Sequence, residues 1–281
     1  MALKLAVSDY TFPSLEWEQA LRLAGDLGME AFDIGLFAGR SHLRPEAVFL
    51  HPCQTAARVT QALSVHGLQV ADVFGQPGTA FQETALNHPD PGQRQKATEF
   101  YWRLLEFAAR CNAKHVTLLP GVHFEQEDYE DSLKRCVDEL TWRVEAAAKL
   151  GIVFSVECHL GSIAPTPTKA HRLVRLTPGL SLTLDYTHFT CQGIADCEIE
   201  PLLPLASHFH ARGSCKGKLQ AASKENTIDY PRILRVMNEV GYNGYVALEY
   251  VWTEWMHCNE VDNLTETIWL RDVLRSAKLE G

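Results

Sequence analysis

At 281 residues and a net charge of -9, the chain is long enough for one large core, and α/β barrels of roughly 250 residues routinely form one domain. The acidic balance excludes a basic stripe for a phosphate backbone, so no nucleic-acid partner is expected, whereas a small anionic substrate needs only a local cationic pocket. Eight cysteines with no C-x-x-C pair argue against a disulfide framework or a thiolate zinc site, and no apolar run approaches the roughly 18 residues of a membrane helix.

The opening MALKLAVSDY reaches charged residues too soon for a signal peptide, so a reducing, cytoplasmic setting is expected. Its apolar part, 4–9, reads as a first strand. SLEWEQALRLAGDLG (14–28) then has leucines at helical spacing, with Ser14 as the expected cap and Gly28 as the stop. Strands follow at 31–36 and 68–74, and the latter leads into a long loop over 74–92. Pro91 opens a long amphipathic helix over 91–113, before a strand at 115–119. The helix over 128–151 carries acidic residues in its first turn, where the dipole favours them. Strands at 152–157, 180–185, 208–211 and 245–250 alternate with shorter helices at 167–177, near 201–206, at 229–241 and at 262–278. Eight strands alternating with helices imply a parallel sheet, and eight is the number that closes. The expected fold is α/β, a single (β/α)8 TIM barrel spanning 1–281. The rival, an open doubly wound sheet, lacks its G-x-G-x-x-G turn after the first strand.

Period-two alternation sorts the last four strands into two faces. Phe154, Val156, Leu182, Leu184, Phe209, Val246 and Leu248 form an apolar face suited to lie under helices. The other face carries Ser155, Glu157, Thr183, Asp185, His208, His210, Ala247 and Glu249. Each strand therefore ends in an ionisable residue at the rim where barrel enzymes hold their chemistry. Brought together, the carboxylates of Glu157, Asp185 and Glu249 repel, and a neutral His210 imidazole cannot relieve that. One divalent metal ion held by all four would. Oxygen-rich ligands with one imidazole favour Mn²⁺ or Mg²⁺, with Zn²⁺ and Co²⁺ as the alternatives.

In FSVECH, LTLDYTHF and SHFHARG, and in the ordered series Glu157, Asp185-x-x-His188, His210, Glu249, the chain resembles the xylose isomerase-like TIM barrel superfamily. Within it the likeness is to the sugar phosphate isomerase/epimerase family, with its D-tagatose 3-epimerase-type ketose epimerases. The resemblance implies that Glu157, Asp185, His210 and Glu249 bind one divalent metal and that His188 contacts substrate. It further implies an isomerase or epimerase in which Glu157 and Glu249 remove and return a carbon-bound proton through an enediolate. The substrate class implied is a small-molecule sugar, sugar phosphate or cyclitol, and family habit suggests a homo-oligomer. Where the ketose epimerases carry an arginine beyond the metal histidine, this chain has Lys216, while Arg212 stands two past His210. Arg212 and Lys216, with Lys218, are accordingly expected to meet substrate, as oxyanion holders or as a solvated loop. His159 is expected to orient Glu157 or the loop that follows it, His208 to lie one layer below His210, and Phe74, Trp252 and Trp255 to wall the pocket. Two other readings share these residues. One is a metal-dependent dehydratase acting on a cyclitol or keto-polyol, and the other is a carbohydrate-binding barrel without catalysis. An endonuclease IV-type repair activity is disfavoured by the acidic charge.

Overall fold

In a computed structural model that describes residues 3–279, eight parallel strands close into one barrel in the order β1 to β8. They are β1 (Leu5–Ser8), β2 (Ala31–Phe37), β3 (Gln69–Gln76), β4 (His115–Leu118), β5 (Val153–Val156), β6 (Ser181–Asp185), β7 (Ala206–Ala211) and β8 (Val246–Leu248). Closure is made by β1 against β8, with Leu5 opposite Val246 and Ala6 opposite Ala247. Every expected strand is present within two residues of its ends. The expected closed barrel is the observed one.

The apolar face read from the alternation is the face that meets the helices. Phe154, Val156, Leu182, Leu184, Phe209, Val246 and Leu248 are all buried in one continuous core with residues from the surrounding helices. Burying each such side chain is worth about 1.5–3 kcal/mol, and this layer holds the helices on. The inward face is different in kind. At one level the small side chains of Ala6, Ala31, Ala71 and Ala247 pack together. At another, Thr117, Ser155 and Thr183 satisfy one another, with hydroxyl separations of 3.1, 2.7 and 2.6 Å. Polar residues on the inner face are thus paired hydroxyls, buried histidine–aspartate pairs such as His208 with Asp33 and His115 with Asp72, or the ionisable groups of the rim.

The main helices run over Trp17–Asp26, Pro52–Val65, Pro91–Arg110, Tyr129–Ala148, Pro167–Leu176, Tyr230–Glu239 and Asn263–Leu279. Two local outcomes differ from expectation. Ser14 is not the first helix cap. A turn in which Leu15 N donates to Phe12 O holds 12–15, and the helix starts at Trp17 with Glu16 and Gln19 forming a reciprocal capping box. The cap is therefore Glu16, two residues past the expected serine. The helix Pro52–Val65 was not anticipated as a separate element. Its buried stripe is only Ala56, Val59 and Leu63, and cysteine, threonines and valines dilute its helical signal. Among the described residues no helix is long and apolar enough to cross a membrane.

Candidate active site

Strand direction delivers the four rim residues. Asp185 is the last residue of β6 and His210 the penultimate one of β7. Glu157 and Glu249 stand one past the ends of β5 and β8. Their backbones still follow the ladder, as Glu157 N donates to Leu118 O and Glu249 N to Ala211 O, both at 3.0 Å. All four are buried. His210 Nδ1 lies 2.7 Å from Glu157 Oε1 and 3.4 Å from Glu249 Oε1. His188 Nε2 lies 3.6 Å from Asp185 Oδ2 and 3.9 Å from Glu157 Oε2. Three triads of possible ligand atoms result among the described residues: Glu157 with His210 and Glu249, Glu157 with Asp185 and His188, and, deeper, Asp33 with His208 and His210. Glu157 belongs to the two at the rim.

The donor set fits a divalent cation on two observations. Glu249 Oε2 is buried without a hydrogen-bond partner, the Arg212 guanidinium standing off at 3.7 Å, a costly state for a carboxylate oxygen that a directly bound cation would relieve. The ligand-bearing face of His210 is also fixed. Its Nδ1 faces the two glutamates, while Nε2 points the other way, 3.5 Å from Asp33 Oδ2. A carboxylate on the far nitrogen is how protein sites orient a ligating imidazole.

The electrostatics separate the carboxylates. Burial pushes the Glu249 carboxyl up to about 7, against the opposing pull of His210 and Arg212. Burial also acts on Glu157, but the hydrogen bond and charge of His210 outweigh it and hold that group below its ordinary value. For Asp185 burial is outweighed by the Arg212 charge, which lowers it to about 2. Burial opposes protonation of His210, but Glu249, Asp33 and Glu157 hold it well above the usual imidazole value.

Arg212 is buried, and its Nη2 lies 2.7 Å from Asp185 Oδ2 and 3.7 Å from Glu249 Oε2. Its Nε donates to Thr187 Oγ1 at 3.2 Å. It is not a solvated loop residue. Lys216 is exposed on the loop after β7, its stem lying against Gly193, and it does not line the cavity. Lys218 is exposed and paired with Glu225 at 2.6 Å. The structure therefore brings Arg212 to the rim residues and leaves the two lysines outside.

A cavity of about 500 Å³ opens above the rim. Glu157, His188, Arg212 and Glu249 line it, as do Phe74, Trp252 and Trp255, which were expected to wall the pocket. Phe81 meets Trp255 with ring centroids 6.1 Å apart and His159 at 4.7 Å, so the loops after β3 and β8 touch over the opening. His159 does not orient Glu157 by a hydrogen bond. Its Nδ1 turns to Leu160 O at 2.6 Å, because the imidazole is drawn into the aromatic wall. His208 lies below the rim as expected, 2.9 Å from Asp33 Oδ2.

Sequence reading missed Tyr10, Asp33 and Arg40. The Tyr10 hydroxyl donates to Glu249 Oε1 at 2.9 Å. Asp33 links His208 and His210. Arg40 lines the cavity from the turn after β2. The signal for Asp33 was available as a lone carboxylate within the apolar run AFDIGL. Tyr10 and Arg40 carried none, since neither falls in a periodic segment.

No curated protein sequence matches the chain significantly. Solved structures do match it as folds. A 3-keto-D-glucoside 4-epimerase from E. coli superposes with TM-score 0.72 at 17% identity, covering 98% of this chain and 99% of that one. A D-psicose 3-epimerase from Clostridium cellulolyticum H10 gives 0.74 at 17% identity over the same shares. An L-ribulose 3-epimerase gives 0.78 at 13% identity, covering 99% of this chain and 96% of that one. Residues 21–275 match the xylose isomerase-like TIM barrel family, and the chain belongs to that family.

Proposed function

We propose that the protein is a divalent-metal-dependent isomerase or epimerase acting on a sugar, sugar phosphate or cyclitol by proton abstraction and return. The observation that carries this reading is the pair Glu157 and Glu249. They reach one imidazole from β5 and β8, and both are buried at the floor of the same cavity. Two carboxyl groups whose environments push their proton affinities apart are suited to an acid and a base role at one centre. Without a metal the site already separates them, with Glu157 held below its ordinary value by His210 and Glu249 raised by burial. Their approach from two strands suits one to remove a proton and the other to return it.

A divalent cation held by Glu157, Asp185, His210 and Glu249 would polarise the substrate carbonyl and acidify the neighbouring C–H. The chain's own residues do the rest. Tyr10 holds one Glu249 oxygen in place. Arg212 offsets the charge of Asp185 and, at longer range, Glu249. His188, between Asp185 and Glu157, presents an imidazole to substrate hydroxyls. The aromatic wall excludes water from the enediolate. Proton return to the opposite face of the same carbon gives an epimer, and return to the adjacent carbon, with a hydroxyl proton passing from one oxygen to the other, gives an isomer. That the fold neighbours named above are epimerases lends support to this class.

The test is proton exchange. The Mn²⁺-loaded protein is incubated in D₂O with a panel of ketoses, ketose phosphates and cyclitol ketones, and deuterium at the carbon beside the carbonyl is followed by NMR. Protein-dependent incorporation is expected for at least one member. Glu157→Gln and Glu249→Gln should each lower its rate about a thousandfold. Absence of exchange across the panel, or full exchange in either variant, contradicts the proposal.

A further inference from the structure

Two guanidinium groups line the cavity, and they differ in one respect. Arg212 is committed to Asp185 and Glu249. Among the described residues no carboxylate lies within ion-pair distance of Arg40. Its Nη2 donates to Gln76 Oε1, and its Cζ lies 5.0 Å from the centre of the Phe37 ring. Gln76 and Phe37 are both buried and both line the cavity. An amide oxygen and an aromatic face steer a guanidinium but do not neutralise it.

The segment beneath Arg40 is built, not loose. Ser41 Oγ accepts from Phe37 N at 2.9 Å and donates to Leu43 O at 2.6 Å. Ala38 N donates to Gln76 O at 2.9 Å, and Arg40 N donates to Phe37 O at 3.2 Å. Gly39, with φ +78, supplies the left-handed residue that turns the chain. In an eight-strand barrel β2 stands four strands from β6, so Arg40 sits across the mouth from Asp185. A ligand engaged by Glu157 and Glu249 on the floor would therefore extend a second end toward a cation with free donors.

We infer that Arg40 is a substrate-recognition residue that binds an oxyanion, a phosphate or a carboxylate, on the end of the substrate remote from the reacting carbonyl. The inference rests on the proposed sugar-acting function and narrows its substrate class to anionic polyhydroxy ketones. It also moves the oxyanion role from Lys216 and Lys218, which lie outside the cavity, to a residue within it. A planar fork that keeps several N–H donors free matches either anion.

Non-reacting probes test this separately from catalysis. Binding of D-sorbitol, D-sorbitol 6-phosphate and D-gluconate to the full-length, Mn²⁺-loaded protein is measured by calorimetry, for the wild type, Arg40→Ala and Arg40→Lys. At least one anionic probe is expected to bind about tenfold or more tighter than sorbitol. Arg40→Ala should erase that ratio while leaving sorbitol affinity and metal content unchanged, and Arg40→Lys should keep part of it. Whichever anion shows the larger Arg40-dependent ratio identifies the substituent. Equal affinities in the wild type, a preference that survives Arg40→Ala, or failure of every probe to bind overturns the inference. Because nothing here needs turnover, a protein that exchanges no carbon-bound proton would defeat the isomerase reading and leave this result readable.

Discussion

At the scale of single residues, inner-face alternation is what made the site legible. Glu157, Asp185, His210 and Glu249 were readable because a carboxylate or imidazole at the end of an otherwise apolar strand has few bland explanations. Tyr10, Asp33 and Arg40 were not, because their roles depend on barrel closure, which places β1 beside β8 and brings β2 within reach of β7 across the interior. Asp9 illustrates a residue whose meaning is thermodynamic. It is buried, with Oδ1 accepting from Gly35 N at 3.0 Å and Oδ2 without a hydrogen bond, 3.9 Å from His42 Nδ1, and burial raises it from 3.8 to about 8. Its folded value exceeds its unfolded one, so between these pH values the native state holds a proton that the unfolded chain has released. Stability therefore falls as pH rises from about 4 to about 8. Asp9→Asn keeps the acceptor for Gly35 and removes this titration. Denaturant unfolding at both pH values should show the wild type losing about 3–6 kcal/mol relative to the variant across that window. A parallel pH dependence of the two proteins would show that Asp9 carries no such shift.

At the scale of elements, strand existence and order and most helix starts were legible, whereas the start of the first helix, the helix Pro52–Val65 and the loops above the barrel were not. Strands of this kind announce themselves by β-branched and aromatic runs at even spacing. The helix Pro52–Val65 has a narrow buried stripe that periodicity barely marks. The loops after β7 and β8 are held by contacts between residues far apart in sequence. Gly213 is such a point. A Cβ there would lie 2.3 Å from Ala221 O, and Gly213 N receives the approach of Tyr250, donating to its hydroxyl at 3.0 Å. Because the opposing atom is backbone, the loop itself must move, and Arg212 is the adjacent residue. Gly213→Ala is expected to destabilise the fold by about 1–3 kcal/mol, read as a lowered midpoint in urea. It should also weaken metal retention through the shifted Arg212–Asp185 pair. An unchanged midpoint would mean that the loop accommodates the methyl without cost.

At the scale of the whole molecule, the barrel buries four carboxyl groups around one point with a single permanent cation among them. Glu157, Asp185, Glu249 and Asp33 are all buried there, against Arg212 and the imidazoles of His188, His208 and His210. Such an imbalance is unfavourable unless a cation completes it, so the metal should act as a folding ligand as well as a cofactor. At a Mn²⁺ concentration of about a hundred times its dissociation constant, the melting temperature should rise by roughly 5 °C. Chelation should reverse the rise, and Asp185→Ala should not show it.

The most direct measurement of the central claim is the metal content of the purified, Mn²⁺-equilibrated protein by elemental mass spectrometry, beside Asp185→Ala. The account predicts about one tightly held divalent ion per chain in the wild type and its loss in the variant. A wild type that retains no divalent ion, or a variant that retains as much, would contradict it.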